Sequence, residues 1–259
     1  MNVWAKKTVK LAQEGDYLDR LHKIYPVEPK PRTIAKGKIR EIQEAFKRKD
    51  KLTLINKLLD LEKFPYKDSY VAFLRRDRTA IQRNPETVNR IFSVLTSMGL
   101  PGIIQGITAP KEANTRRGNS FSKWLGNNFA FVDLDDFKKD RKGIVLLRAS
   151  EKELMHYCNN ELEAGLQKRP DVLAKVDEKH VVGEAKFLSD LGGNQGRGFD
   201  DAVKVASNPA RKAVKISLLD GIVWVESKSG LFQSIKNSSL NVFSALLLRN
   251  FLQSLRKSH

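Results

Sequence analysis

The sequence contains one cysteine, Cys158, so an intramolecular disulfide is excluded, and with it the class of disulfide-stapled secreted domains. Long apolar runs are also missing. The N-terminal stretch MNVWAKKTVK lacks the apolar core of a signal peptide. We therefore expect a cytoplasmic protein without a membrane span.

Acidic residues are scarce relative to basic ones. Asp and Glu number 30 against 47 Lys and Arg, which gives a net charge of +17 spread along the whole chain. Such a charge favours a polyanionic partner, most simply nucleic acid, with an anionic membrane surface and ribosome-like RNA packing as the competing interpretations. Hydrophobic residues make up 41% of the 259 positions, enough for a sizeable core.

The segment Arg169–Lys186 predicts a β-hairpin. Two strand-like runs, Val172–Val176 and Val181–Lys186, flank a polar turn. The turn contains two residues, Glu178-Lys179, or four, Asp177–His180, because a three-residue turn would mix the two faces of the hairpin. With either turn, the residue numbers of paired positions add up to 357. The residue before the first strand then lies opposite the last residue of the second strand.

In that register Asp171 lies opposite Lys186. Since side chains alternate along a strand, Asp171, Glu184 and Lys186 share one face. The other face is apolar and is formed by Val172, Ala174, Val176, Val181, Gly183 and Ala185. Two adjacent carboxylates repel each other unless a cation lies between them, and hard oxygen ligands suit Mg²⁺. With a lysine beside the metal, the pattern predicts metal-assisted phosphodiester hydrolysis.

This arrangement resembles the PD-(D/E)XK nuclease motif, which Pro170, Asp171, Glu184, Ala185 and Lys186 match. The resemblance implies that Asp171, Glu184 and Lys186 are catalytic and that Asp171, Glu184 and Ala185 form a Mg²⁺ site. The alternative is a surface hairpin whose charged face is merely solvated.

Two other glutamate-any-lysine triplets are weaker candidates for such a site. Glu28-Pro29-Lys30 contains a proline, which is incompatible with a central strand. Glu226-Ser227-Lys228 ends a predicted strand, but the nearest acid, Asp220, lies on the same run. Six residues of strand separate the two acids by about 20 Å, too far to share a metal ion.

A polar and basic stretch, Ala109–Trp124, is similar to a segment of some type II restriction endonucleases and leads into a short helix from Asn119 or Ser120. By the same resemblance, a glycine-rich loop after Lys186 runs beside the DNA. Six residues are therefore candidates for contacts with phosphates or base edges. They are Lys111, Asn114, Arg116, Arg117, Gln195 and Arg197. The alternative for the first stretch is a solvated loop.

The hydrophobic periodicity divides the chain into a mostly helical region, residues 1–124, and an α/β region, residues 125–259. We expect the second region to have a restriction-endonuclease-like core, a mixed β-sheet flanked by helices. The first region is an accessory, DNA-contacting part, for which a helix-turn-helix module and a plain helical subdomain are the two interpretations. Predicted elements include helices within 1–25, 34–49, 84–99, 150–168 and 239–256, and strands at 129–132, 144–147, 213–219 and 222–226.

The closest resemblance within the nuclease family is to type II restriction endonucleases. It implies cleavage of double-stranded DNA with Mg²⁺, leaving 5′-phosphate and 3′-hydroxyl ends, and a homodimer on a palindromic or near-palindromic site. A repair or junction-resolving nuclease is one alternative. A non-catalytic, basic nucleic-acid-binding protein is the other.

Overall fold

The computed structural model describes residues 1–26, 31–110, 113–139, 142–191, 194–208 and 212–256, without the side chains of 113–117, 194 and 195. Contacts divide the chain into two compact units. One consists of Met1–Val27 with Ala113–His259, and the other is Glu28–Glu112. We expected a boundary after residue 124; the contacts group the N-terminal helices and the segment from Ala113 with the C-terminal part of the chain.

The larger unit is built on a mixed sheet. Within the described residues the strands follow each other in the order β1 (Phe131–Val132), β2 (Ile144–Leu147), β3 (Val172–Val176), β4 (Lys179–Leu188), β5 (Ala213–Gly221) and β6 (Val242–Phe243). β2, β3 and β4 are antiparallel neighbours, whereas β1 is parallel to β2, and β4, β5 and β6 are parallel to one another. The predicted α/β fold with a mixed sheet is confirmed.

Helices account for most of the remaining described residues. In chain order they are α1 (Val3–Ala12), α2 (Tyr17–Ile24), α3 (Lys36–Lys47), α4 (Lys51–Leu59), α5 (Val71–Arg76), α6 (Ala80–Arg83), α7 (Pro85–Thr108), α8 (Ala113–Asn128), α9 (Leu134–Lys138), α10 (Glu151–His156), α11 (Asn194–Ser207), α12 (Gly230–Lys236) and α13 (Leu248–Ser254). A π-helical turn, Tyr157–Glu161, follows α10. Two 3₁₀ turns occupy Ile222–Trp224 and Ala245–Leu247.

The hairpin strands are buried on both faces. Every residue of β3 is buried. Val172, Ala174 and Val176 pack in one apolar cluster, and Leu173 packs in another. This alternation places the first three residues on one face of the sheet, as the sequence predicts, and fixes which side chains of β4 lie on the other.

Local chemistry explains the start of several helices. Ser150 forms the predicted capping box with Glu153: its hydroxyl accepts from the Glu153 amide, and the Glu153 carboxylate accepts from the Ser150 amide at 2.9 Å. The Asp50 side chain accepts from the Thr53 amide at the start of α4. Pro85 begins α7, but the Asn84 side chain donates to the Ala80 carbonyl at 2.8 Å and does not cap this helix.

The smaller unit is helical in its described part and has its own core, in which Ile42, Leu54, Ile55, Ile91 and Leu95 are fully buried. The apolar pattern here predicts that Tyr70, Phe73, Leu74 and Ile81 face inward; Leu74 and Ile81 are buried, whereas Tyr70 and Phe73 are exposed.

The long helix α7 is interrupted at Gly99, where the sequence predicts its end. Gly99 has φ 65, and helical geometry then continues to Thr108. By length and composition α7 is apolar enough to cross a membrane, which is weak evidence because a helix of a soluble protein passes the same test. Ile103 and Ile107 beyond the break are buried in the unit.

Tertiary packing overrides local polarity in two segments: the polar stretch that was expected to enter a helix only at Asn119 or Ser120, and the expected glycine-rich loop after Lys186. α8 begins at Ala113, and Phe121 and Leu125 on it are buried. α11 begins at Asn194, so Gly196 and Gly198 lie on a helix that buries its apolar side against the sheet unit. In both segments a few apolar contacts outweigh the preference of glycine and polar residues for loops.

Three further predicted elements are wrong in extent or type. The strand expected at 222–226 is a 3₁₀ turn, because Gly221 leaves the strand direction with φ 94. The helix expected over 150–168 ends at His156 and the π-helical turn after it. The final helix begins only at Leu248, because β6 and the 3₁₀ turn Ala245–Leu247 lie within its predicted first half.

Candidate active site

The register of the hairpin differs from the predicted one by two residues. Val172 pairs with Gly183 and Val176 with Lys179, so paired numbers add up to 355 and the turn is Asp177-Glu178. Asp177 adopts a left-handed conformation, φ 52, which Asp tolerates better than most residues. Its Oδ1 accepts from the Gly143 amide at 2.8 Å, which fixes the turn one residue earlier than expected.

The two-residue shift leaves every hairpin side chain on its predicted face, but it changes the residue that lies next to Asp171. Asp171, which directly precedes the Val172–Gly183 pair, now lies next to Glu184 rather than opposite Lys186, and its amide donates to the Gly183 carbonyl at 3.0 Å. An even shift leaves side chains on their original faces. The side chains of Asp171, Glu184 and Lys186 therefore share a face, as predicted. The observed register brings the carboxylate of Asp171 next to that of Glu184.

Glu184 is the buried centre of this group. Its residue is 2% exposed, and it stands in the middle of β4 beside Ser217 of β5. The ammonium groups of Lys186 and Lys168 both lie 2.7 Å from Oε1 of Glu184. A buried carboxylate needs such partners, because its desolvation is otherwise costly.

Asp171 is accessible at the edge of the group. Its Oδ2 accepts from the Ala185 amide at 2.9 Å. Loss of hydration among the surrounding protein atoms raises the pKa of Asp171, and the Glu184 charge raises it further; the Ala185 amide, Lys186 and Lys168 oppose both effects. The Glu184 charge thus makes this a place where an added cation would relieve repulsion.

The first turns of α11 border the group. A Cβ atom added at Gly198 would lie 3.9 Å from Cδ of Lys186. One turn further along α11, Oδ2 of Asp201 lies 3.6 Å from Nζ of Lys168. Partial burial lowers the pKa of Lys168, but its hydrogen bond to Glu184 and the charges of Glu184 and Asp201 outweigh this, and the net shift is upward.

Sequence reasoning did not identify Lys168, Asp201 or Ser217. Lys168 precedes Asp171 by three residues and carried no motif signal, and Asp201 comes from a helix that was expected to begin later. Ser217 is fully buried, and its Oγ has no hydrogen-bond partner among the described residues. Strand pairing places Ser217 beside Glu184, whereas Lys168 reaches Glu184 from the segment before β3 and Asp201 reaches Lys168 from α11, and sequence spacing supplies none of these contacts.

The candidate DNA-contacting residues have different standing in the structure. Lys111 lies outside the described residues. The backbones of Asn114, Arg116 and Arg117 are in the first turns of α8, and that of Gln195 is in the first turn of α11, but their side chains lie outside the description. Arg197 is exposed on α11, next to the glycine that borders Lys186.

Two acids of the segment before β3, Glu161 and Glu163, lie elsewhere. Glu163 pairs with Lys212 at 2.7 Å, just before the start of β5. Lys212 is five residues from Ser217, about 16 Å along the strand. Glu161 lies in the turn that begins at Tyr157, whose hydroxyl contacts His180 near the start of β4 at 2.9 Å. Neither acid joins the group around Glu184.

The competing triplets do not form a comparable group. Glu28-Pro29-Lys30 falls outside the described residues, and Glu226 and Lys228 are exposed after the 3₁₀ turn, away from any described strand. No cluster of three or more His, Cys, Asp or Glu side chains suited to a metal ion occurs in the described part of the chain. The group around Glu184 thus offers two carboxylates, and any further ligands would come from main-chain oxygen or water.

Comparison with known proteins gives a match to a family model. The family model described as Tsp45I type II restriction enzyme matches residues 2–255, nearly the whole chain. No curated protein and no solved structure matches the chain.

Proposed function

Because the chain belongs to the Tsp45I type II restriction enzyme family, it is a site-specific deoxyribonuclease, and we propose that Asp171, Glu184 and Lys186 carry out its chemistry. The reaction is Mg²⁺-dependent hydrolysis of phosphodiester bonds in double-stranded DNA, leaving 5′-phosphate and 3′-hydroxyl ends. The observation that carries the proposal is the buried Glu184 carboxylate, next to a second carboxylate and in contact with Lys186.

The donor set fits a hard divalent cation. Asp171 and Glu184 supply carboxylate oxygens on one face, and the main-chain carbonyl of Ala185 lies between Glu184 and Lys186 in sequence. The hydroxyl of Ser217, which has no hydrogen-bond partner among the described residues, lies beside Glu184. It can form a hydrogen bond with a water molecule of a hydrated ion. Mg²⁺ held there would polarise the phosphate and lower the pKa of a bound water.

Lys186 is placed to act on the phosphate or on the attacking water. Glu184 holds its ammonium group at 2.7 Å, and the side chain stays partly exposed. A Cβ atom at Gly198 would meet the lysine stem at an ordinary contact distance, 3.9 Å, so α11 borders the lysine. An ammonium group oriented in this way stabilises negative charge that develops at the phosphate during hydrolysis.

The test compares the site variants Asp171→Asn, Glu184→Gln and Lys186→Met in single-turnover cleavage of DNA that contains the recognition site. We expect each rate to fall by at least about 10²-fold while DNA binding persists, because a preorganised charge is lost. The chain supplies a matched control in its exposed triplet: Glu226→Gln and Lys228→Met should cut like the parent. Parent-like cleavage by Glu184→Gln or Lys186→Met would remove that residue from the mechanism.

The end chemistry and the metal are tested on the parent enzyme. Cut ends that DNA ligase rejoins without added kinase carry 5′-phosphate and 3′-hydroxyl groups. Cleavage should stop when a chelator removes divalent ions and return with Mg²⁺. Ends that require phosphorylation, or cleavage that persists in chelator, would contradict these parts of the proposal.

Recognition of the DNA is the remaining part of the proposal. We assign phosphate or base contacts to Lys111, Asn114, Arg116, Arg117, Gln195 and Arg197, and a homodimer to the active form, since two-fold protein symmetry most simply reads a symmetric site. Sedimentation with and without cognate DNA measures the oligomer, and a monomer on DNA would contradict the dimer. Enzymes of this family act on DNA inside the cell, so we place the protein in the cytoplasm.

The family match favours a restriction enzyme over a repair or junction-resolving nuclease and over a non-catalytic nucleic-acid-binding protein. A repair or junction-resolving nuclease would use the same chemistry but select DNA by shape. Digestion of a plasmid of known sequence separates the two: discrete fragments from one repeated sequence support a restriction enzyme, and cutting confined to branched substrates supports the other.

A further inference from the structure

Oε1 of Glu184 is contacted by two ammonium groups. Lys168 and Lys186 both reach that atom at 2.7 Å, and the side chain of Glu184 is 3% exposed. The motif resemblance accounts for Lys186. It gives no role to Lys168, which belongs to the segment before β3.

One carboxylate oxygen does not need two full positive charges for its own neutralisation. The two ammonium groups repel each other across this oxygen, because each lies 2.7 Å from it. A divalent cation bound by Glu184 would bring two more positive charges to the same place. At least one ammonium group must then move away, and Lys186 is the one that the proposed chemistry retains.

Lys168 has another carboxylate within reach. Oδ2 of Asp201 lies 3.6 Å from its Nζ, longer than a direct hydrogen bond of about 2.9 Å. The Asp201 side chain is 60% exposed and the Lys168 side chain 47% exposed, so both can move without disturbing the core. A small displacement of the ammonium group therefore exchanges Glu184 for Asp201.

We propose that Lys168 is a positioning residue that competes with the metal ion for Glu184. Without metal its ammonium group holds Oε1; when metal binds, Lys168 transfers to Asp201 and frees Glu184. This inference rests on the proposed function, in which Glu184 is a metal ligand. It predicts that Lys168 lowers the metal affinity of the free enzyme and that Asp201 offsets part of this effect.

The test measures metal affinity directly, by titrating the DNA-free protein with Mn²⁺ and recording free Mn²⁺ by electron paramagnetic resonance. Removing a unit charge a few ångströms from a divalent ion should tighten binding by about tenfold in Lys168→Met, and by a similar factor in Lys168→Gln. Both variants should fold, because the side chain is half exposed. The control is Lys212→Met, which removes the ammonium group of an exposed ion pair with Glu163, away from the site. The Mn²⁺ affinity of this variant should equal that of the parent.

Variants of Asp201 test whether this residue accepts the Lys168 ammonium group or acts only as a nearby negative charge. In the parent, Asp201→Asn should weaken Mn²⁺ binding several-fold, since Lys168 then has no second carboxylate. In the Lys168→Met background the same change should have less than a twofold effect. An equal loss in both backgrounds would show that Asp201 acts only as a negative charge and would overturn the transfer.

Glu184→Gln, measured in the same series, distinguishes failure of this inference from failure of the proposed function. If Glu184→Gln leaves Mn²⁺ binding unchanged, Glu184 is not a ligand and the proposed metal site fails. If Glu184→Gln abolishes binding while Lys168→Met and Lys168→Gln bind like the parent, the metal site stands and the competition is refuted.

Discussion

Asp220 is a fully buried acid at the end of β5, and its titration should be visible in the stability of the protein. Its Oδ2 accepts from the Tyr25 hydroxyl at 2.8 Å and from the Ala245 amide at 3.3 Å, and the Ser244 hydroxyl donates to Oδ1. Burial raises the pKa of Asp220 from an ordinary 3.8 to about 6, and the three hydrogen bonds only partly offset this.

The sign and size of the effect follow from this shift. Because the folded state holds the proton more tightly than the unfolded chain, the contribution of Asp220 to stability is fully present below pH 3.8 and is lost as the pH rises through about 6. A shift of about two units corresponds to roughly 3 kcal/mol, at about 1.4 kcal/mol per unit. Asn at this position cannot ionise. Its oxygen can accept from Tyr25 and Ala245, and its amide can donate to the Ser244 hydroxyl.

We therefore expect Asp220→Asn to gain stability relative to the parent as the pH rises. Urea unfolding at pH 4.5 and at pH 7.5 should show the difference in unfolding free energy moving by about 2–3 kcal/mol in favour of the variant. The control is Asp135→Asn, on the exposed side of α9, whose difference from the parent should not move. Parallel pH profiles for the parent and Asp220→Asn would refute the assignment of a raised pKa to this buried acid.

Three further variants test the fold and the DNA surface. Gly183→Ala should destabilise the protein by about 1–3 kcal/mol in urea unfolding, because its Cβ would lie 2.5 Å from Cγ1 of Ile216. An unchanged unfolding free energy would mean that β5 can shift at little cost. Ser150→Ala should cost about 0.5–2 kcal/mol by the same measurement, through loss of the capping box, and a neutral result would mean that water replaces it. Arg197→Ala should weaken DNA binding on all sequences and reduce the salt slope by about 1 if the side chain contacts phosphate, whereas loss on the cognate site alone would indicate base readout.

The sequence predicts the hairpin and its faces because both depend on a period of two. Val172–Val176 and Val181–Lys186 alternate in the way that strands require, and the alternation assigns Asp171, Glu184 and Lys186 to one face whatever the exact partner. The capping box at Ser150 and the proline at the start of α7 are likewise local signals, and both are present in the structure.

Other features depend on contacts that sequence spacing does not encode. α8 and α11 are helical over glycines and polar residues because a few apolar side chains, such as Phe121 and Phe199, are buried against the rest of the unit. Lys168 and Asp201 reach the site only because the chain leads into β3 beside the helix that connects β4 to β5. A site assembled from three separate segments gives no single motif.

The two-residue error in register has a chemical meaning. With Asp171 opposite Lys186, the hairpin would carry an exposed ion pair and one spare glutamate, and such a pair contributes little, about 0–1 kcal/mol. In the observed register Asp171 lies next to Glu184, and its pKa rises through lost hydration and through this second carboxylate. The lysines are drawn to the buried Glu184 instead, which leaves Asp171 with the Ala185 amide as its described hydrogen-bond donor. The turn at Asp177 thus determines which charged residue lies next to Asp171, and the observed turn brings its carboxylate next to that of Glu184, with the two lysines on Glu184.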